Sequence, residues 1–249
     1  MKEYLPLILI FFLIIYFIFR YDNFFKLKEY FDLTDYKKFD INKIDINNFN
    51  FTNNNIPIKD YKQIVYTIIL YKTKKALDRL NIPFFLSSGT CLGYYRENKF
   101  IDHDYDIDIG IFAEDYVDRI INEMKNEGLI IYRILGSIKG GLELSFKLNG
   151  TRLGNFAKID IFLHYYETDE DNNKKIYWIT YSPAHTGRKK IKYRVSAFDI
   201  KNVKFMGLNV NVPYPTKKYL EDHYGKDWNV VKKWKDYKYY KSPVSIVKN

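Results

Sequence analysis

The segment Asp106-Ile107-Asp108-Ile109-Gly110 constrains this chain more than any other stretch of it. Side chains of a β-strand alternate between two faces, so residues two apart share a face. A strand over Tyr105–Phe112 therefore sends Ile107 and Ile109 into an apolar core and stands Asp106 and Asp108 side by side on the other face. Carboxylates so placed repel each other, and one tends to keep its proton unless a cation intervenes. The pattern returns in Lys158-Ile159-Asp160-Ile161-Phe162, where Asp160 faces away from Ile159 and Ile161. If the two strands are neighbours, three acidic groups converge, and hard oxygen ligands of that kind suit Mg2+ or Mn2+. In this reading Asp106 and Asp108 hold metal, and Asp160 is a third ligand or the base that takes a proton from an attacking hydroxyl. Asp104 shares their face if the strand begins early, as a further ligand or as a charge tuning the site. The bland alternative is a surface strand with solvated carboxylates.

Upstream, Gly89-Thr90 falls where a strand turns into a helix, and backbone N–H groups there hold phosphate oxygens. Gly89 serves the turn and a close phosphate approach; Thr90 donates a hydroxyl or is an ordinary helix cap. Arg96 offers a planar fork to a diphosphate, or ends its helix in a salt bridge. Lys158, and more weakly Lys147, are candidates on the same grounds. Arg188, with Lys189 and Lys190 in a loop after Thr186-Gly187, is a candidate contact to a phosphorylated substrate, the alternative being a solvated loop. His103 and His164 flank the carboxylates without being needed as ligands. Trp228 and Trp234 offer stacking surfaces, although burial is the commoner fate of Trp. A metal cluster beside a phosphate cradle is machinery for phosphoryl transfer.

The run Leu5 to Phe19 carries no charge. A spanning helix needs roughly 17–25 apolar residues, and interfacial Tyr4 and Tyr21 extend the run to that length. No small-residue cleavage site follows, because the next residues are Arg20, Tyr21, Asp22 and Asn23. Residues 1–20 therefore read as an uncleaved membrane anchor rather than a signal peptide. Lys2 precedes the span while Arg20, Lys26 and Lys28 follow it, which mildly favours a cytosolic carboxyl end. Residues 21–58, rich in Asn, Lys and Asp, read as a stem, 59–243 as one catalytic domain and 244–249 as a tail.

Within the domain, Val65, Ile68, Ile69, Ala76, Leu77 and Leu80 fall on one face of a helix. A strand over Phe84–Ser87 and a short helix near Leu92–Glu97 follow. Glu114–Glu127 reads as a helix closed by Gly128. Further strands are expected near Leu129–Leu135, at Leu142–Leu148 with Leu142, Leu144, Phe146 and Leu148 on one side, and at Lys158–Tyr165. Thr216 is expected to cap a last helix ending at Gly225. The fold class is α+β.

At 249 residues and 47% hydrophobic, the chain can bury one sizeable core. Its net charge of +10 favours phosphate-bearing partners. The positive charge is spread, and its densest run, Arg188 to Arg194, is short, which argues against nucleic acid. The single cysteine, Cys91, excludes an intrachain disulfide and a cysteine-rich zinc site. Asn50-Phe51-Thr52 and Asn149-Gly150-Thr151 are glycosylation sequons, which chance also produces in an Asn-rich chain.

The motifs Gly89-Thr90-x-Leu92-Gly93-x-x-Arg96, Asp104-Tyr105-Asp106-Ile107-Asp108-Ile109-Gly110 and Lys158-Ile159-Asp160-Ile161-Phe162 resemble those of the LicD/fukutin family. Val212-Pro213, Tyr219-Leu220-x-x-His223-Tyr224-Gly225-x-x-Trp228 and Trp234 extend the resemblance, which covers roughly Lys59 to Pro243 and is unspecific between Asp160 and Val212. It implies a nucleotidyltransferase-like mixed sheet with flanking helices, here preceded by the membrane helix. The implied activity is transfer of phosphocholine or ribitol phosphate from a CDP-linked donor to a glycan, with CMP leaving. A Golgi or ER lumenal location is implied too, against the flanking charges. The spacing alone is equally compatible with a true nucleotidyltransferase, in which the nucleotide itself is transferred. A catalytically silent membrane scaffold that kept the fold is the third reading.

Overall fold

The computed structural model describes residues 46, 49–52, 56–181, 189–232 and 244–247. The expected span, most of the stem, Arg188 and Trp234 lie outside these residues. Among the described residues no helix is long and apolar enough to cross a membrane.

The elements run α1 (Ile58–Arg79), β1 (Phe85–Leu86), α2 (Ser88–Glu97), β2 (Ile107–Phe112), α3 (Ile120–Asn126), β3 (Ile130–Leu135), β4 (Glu143–Lys147), β5 (Lys158–Thr168), β6 (Lys174–Tyr181), β7 (Lys190–Ser196), β8 (Asp199–Phe205), β9 (Leu208–Tyr214), α4 (Thr216–Tyr224) and β10 (Val244–Val247). They form a mixed α+β unit around one sheet, ordered β10-β7-β6-β5-β2-β1-β9-β8, with the β3–β4 hairpin joined to β5 through β4. Parallel pairing joins β2 to β5 and β1 to β9. Strand β5 is long: its first half lies between β2 and β4, and its second half pairs with β6.

Helix α1 is more than the one-faced helix its apolar stripe suggests. Every residue from Tyr61 to Leu70 is buried. Two of the polar ones, Lys62 and Gln63, are satisfied by the loop that leads into β2. Gln63 donates to the Phe100 carbonyl at 2.8 Å and accepts the Phe100 N–H at 3.0 Å. The Lys62 ammonium donates to the carbonyls of Ile101 and Asp102, both at 3.0 Å. This clasp fixes the loop that carries Asp104 and Asp106. At its other end Arg79 pairs with Glu123 and Glu127, at 2.7 and 2.6 Å, tying α1 to α3.

Several expected elements differ. The helix expected over Glu114–Glu127 is a single 3-10 turn, Ala113–Asp115, then α3. Tyr116 between them is extended, and its hydroxyl donates to Asp118 at 3.0 Å. Helix α2 begins at Ser88, so Gly89 and Thr90 occupy its first turn. Thr216 does not cap α4; its hydroxyl donates to the Pro213 carbonyl at 2.7 Å. Gly225 and Gly128 do stand at helix ends with φ of 93° and 78°. The basic run entering β7 is no loop beyond Lys190: Ile191, Tyr193 and Val195 are buried, and Lys192 and Arg194 pair with Glu167 of β5.

Candidate active site

Parallel register sets Asp108 opposite Asp160, and Asp106 immediately precedes β2. Carboxylate oxygens of Asp106, Asp108 and Asp160 all lie within 4.8 Å of one another. Asp160 is 2% exposed. The Lys158 ammonium bridges Asp106 and Asp160 at 2.5 and 2.9 Å. The cluster forms the floor of a cleft of about 460 Å³ whose walls include Ser88, Arg96, Tyr105, Arg133, Tyr181 and Trp228.

The turn into α2 is fastened to this floor. The Gly89 N–H donates to Asp108 Oδ2 at 3.2 Å, and the Asp108 N–H donates to Thr90 Oγ1 at 2.8 Å. Thr90 is buried and its oxygen holds β2, instead of lying open to a phosphate. Gly89 is required by a different neighbour from the one expected: a Cβ there would lie 2.3 Å from Asp104 Oδ2. Ser88 has a φ of 43° and is held by Tyr219, whose hydroxyl accepts the Ser88 N–H and bonds Ser87 Oγ, both at 3.0 Å. Strain of this kind persists where the surroundings over-determine it. Asp104 stands beside α2, outside the close triad. Arg96 lines the cleft but pairs with Glu97. His103 also lines the cleft, whereas His164 is in the aromatic core. Lys147 lies over the Tyr132 ring, and Trp228 packs on Tyr95.

The charges explain the titration behaviour. Burial, then the charge of Asp106, lifts the Asp104 carboxyl to about 7. Burial, then Asp106, Asp104 and Asp160, raises Asp108 well above the usual carboxylate range. Burial and Asp160 push Glu143 up to about 7, against Arg133. Burial alone would lower Lys158, but Asp160 and Asp106 hold its ammonium charged.

A divalent cation fits these residues. Lys158 covers only Oδ2 of Asp160; Oδ1 is buried with no hydrogen-bond partner. A buried acceptor left so calls for a positive group, and an all-carboxylate donor set suits Mg2+ and Mn2+ alike.

Residues beyond the sequence reading also line this floor. Glu143 and Ser145 of β4 and Arg133 of β3 lie beside Asp160. The signal was available: placing Leu142, Leu144 and Phe146 on one face of β4 puts Glu143 and Ser145 on the other.

Comparison with known proteins is consistent with this geometry. The family described as LicD/FKTN/FKRP, nucleotidyltransferase domain, matches residues 81–215, a span containing all four aspartates. Ribitol-5-phosphate transferase FKTN of Homo sapiens is 38% identical over 182 residues, which cover 73% of this chain and 36% of that protein. Its counterpart in Mus musculus gives the same figures. Uncharacterized protein T07A5.1 of Caenorhabditis elegans is 31% identical over 132 residues, 52% of this chain and 33% of that one. The chain spans about a third of the length of the curated relatives it matches. Antibiotic-resistance factor ANT(2'')-Ia aligns with a TM-score of 0.34 and 15% identity over 59% of this chain and 64% of its own, a likeness too slight to bear on the fold.

Proposed function

Because the chain belongs to the LicD/FKTN/FKRP family, we propose that it moves a phospho-alditol group of the ribitol phosphate kind from a CDP-linked donor to a glycan acceptor. The named activity of its mammalian relatives favours an alditol over phosphocholine. Asp106, Asp108 and Asp160 would hold Mg2+ or Mn2+, which when bound neutralises and polarises phosphoryl oxygens. Gly89 leaves room for Asp104 beside the first turn of α2 and ties that turn to Asp108, next to where the donor diphosphate would lie. Thr90 acts through the Asp108 amide, fixing the cluster. Lys158 keeps Asp106 and Asp160 together, and Arg96 and Arg188 are contacts to the donor. The acceptor hydroxyl forms a new P–O bond to the phosphorus that carries the alditol. The P–O bond to CMP breaks, its electron pair leaving with CMP, and the hydroxyl proton passes to a carboxylate of the cluster.

The observation that supports this reading most is the meeting of Asp108 of β2, Asp106 just before it and Asp160 of β5 in one cleft, with a buried Asp160 oxygen lacking a partner among the described residues. The test offers purified protein and Mn2+ three donors in turn: CDP-ribitol, CDP-choline and CTP. CMP release from CDP-ribitol, lost in Asp108→Asn, is expected. Pyrophosphate release from CTP would instead mark a nucleotidyltransferase, and no turnover of any donor by the wild type would sink the proposal.

The uncharged run Leu5–Phe19 and the two sequons support a single-pass membrane protein with its catalytic domain in the Golgi or ER lumen. Glycosidase treatment of the expressed protein tests it: an unchanged electrophoretic mobility, with both sequon asparagines present, removes that support.

A further inference from the structure

Four residues form one row across the sheet. Arg133 on β3 faces Ser145 on β4, Ser145 faces Asp160 on β5, and Asp160 faces Asp108 on β2. The first of these owes its place to an irregularity. Ile131 is opposite Phe146, so uninterrupted pairing would set Tyr132 against Ser145 and turn Arg133 to the far side. A bulge between Ile131 and Arg133 shifts the register by one and brings the guanidinium onto the carboxylate face. A one-residue slip exchanges the two faces of a strand, and bulges next to sites re-aim side chains in this way.

Once there, the guanidinium is clamped. Its Nε donates to Ser145 Oγ at 2.9 Å, and its Nη2 donates to Glu143 and, at 3.3 Å, to Asp160 Oδ2. Glu143 is 1% exposed and Ser145 is fully buried, so the clamp is rigid. A small residue at 145 is what lets Arg133 reach across β4 to β5. Among the described residues Nη1 meets no acceptor, and the side chain, one third exposed, lines the cleft. A planar fork held on one edge and open on the other matches the oxygens of a phosphoryl group. Arg133 and Lys158 both contact Oδ2 of Asp160, leaving its Oδ1 to the metal side.

We infer that Arg133 is a substrate-binding residue, its Nη1 edge receiving a non-bridging oxygen of the transferred phosphoryl group, and that Glu143 and Ser145 are its positioning residues. The inference rests on the transferase reading above. It adds the β3–β4 hairpin to the walls that meet the donor.

The test must separate this role from neutralisation of a buried Glu143. The double variant Arg133→Gln/Glu143→Gln removes both charges together, so it keeps the fold where Arg133→Gln alone is liable to leave a buried carboxylate unpaired. We expect the double variant to melt close to wild type, to bind Mn2+ (by electron paramagnetic resonance) within about 3-fold of wild type or tighter, and to lose about 10- to 100-fold in affinity for CDP-ribitol by calorimetry. Arg133→Lys keeps charge without the fork and falls between the two. Donor affinity within about 3-fold of wild type in the double variant, or a parallel loss of Mn2+ and donor binding, would overturn the assignment. Wild-type protein that binds Mn2+ but neither binds nor turns over CDP-ribitol refutes the transferase reading instead.

Discussion

His164 lies fully buried on β5, stacked on Trp178 and edge-on to Phe85, each at a ring separation of 4.8 Å. Its Nδ1 is 3.1 Å from the Phe162 carbonyl, and its Nε2 has no partner among the described residues. The neutral ring donating from Nδ1 satisfies this setting; the imidazolium would bury a charge. Burial accordingly lowers its pKa from 6.5 to about 3. A folded value below the unfolded one means that the unfolded chain takes up the proton first. Stability is full above about pH 6.5 and is lost as pH falls toward about 3. At about pH 5 the loss is about 2 kcal/mol, from roughly 1.5 pH units at about 1.4 kcal/mol each. The perturbation is His164→Met, measured by urea unfolding at about pH 7.5 and about pH 5. Carboxylates with raised values act in the opposite sense, so the wild-type pH dependence alone is a mixture. The difference between wild type and variant isolates His164: the change in stability between the two pH values should be about 2 kcal/mol more favourable in the variant. Identical pH dependence in both proteins would refute the argument. His223 is lowered to about 3 by burial and then by His164; the part due to burial is common to both proteins and cancels in the difference.

Gly89→Ala sets a methyl group against Asp104, and is expected to cut CMP release about 10-fold or more while costing no more than about 1 kcal/mol in urea unfolding; wild-type turnover would show that Asp104 can move aside freely. Tyr219→Phe removes the hydroxyl that bonds Ser87 and Ser88, and should cost about 1–2 kcal/mol by the same method. A change inside measurement error would mean that the Ser88 turn holds itself.

The centre of the sheet was legible because its chemistry is written in alternation. Asp108 and Asp160 each stand between isoleucines, and that pattern alone made adjacent carboxylates the natural outcome if the two strands are neighbours; their parallel pairing is seen only in the fold. What stayed hidden depended on partners rather than on pattern. The register shift before Arg133 leaves no mark on the sequence Ile131-Tyr132-Arg133, since either neighbour could face the site. Thr90 looked like a phosphate ligand because its use by the Asp108 amide exists only after folding. Strand β7 alternates Lys190-Ile191-Lys192-Tyr193-Arg194-Val195 as cleanly as any, but its lysines read as solvated until Glu167 is seen beside them. The break at Tyr116 was invisible to a periodicity that Ile120 and Met124 satisfy on their own.

The length of β5 has a mechanical consequence. Tyr165–Thr168 is held by β6, and Asp160 lies a few residues earlier on the same uninterrupted strand. No break separates the two, so β5 shifts as one rod: sliding it by one residue against β2 and β4 would carry the acid about 3.3 Å along its axis and would also have to undo the pairing with β6. The outer end of the sheet, remote from the reacting atoms, thus adds to the cost of displacing the acid.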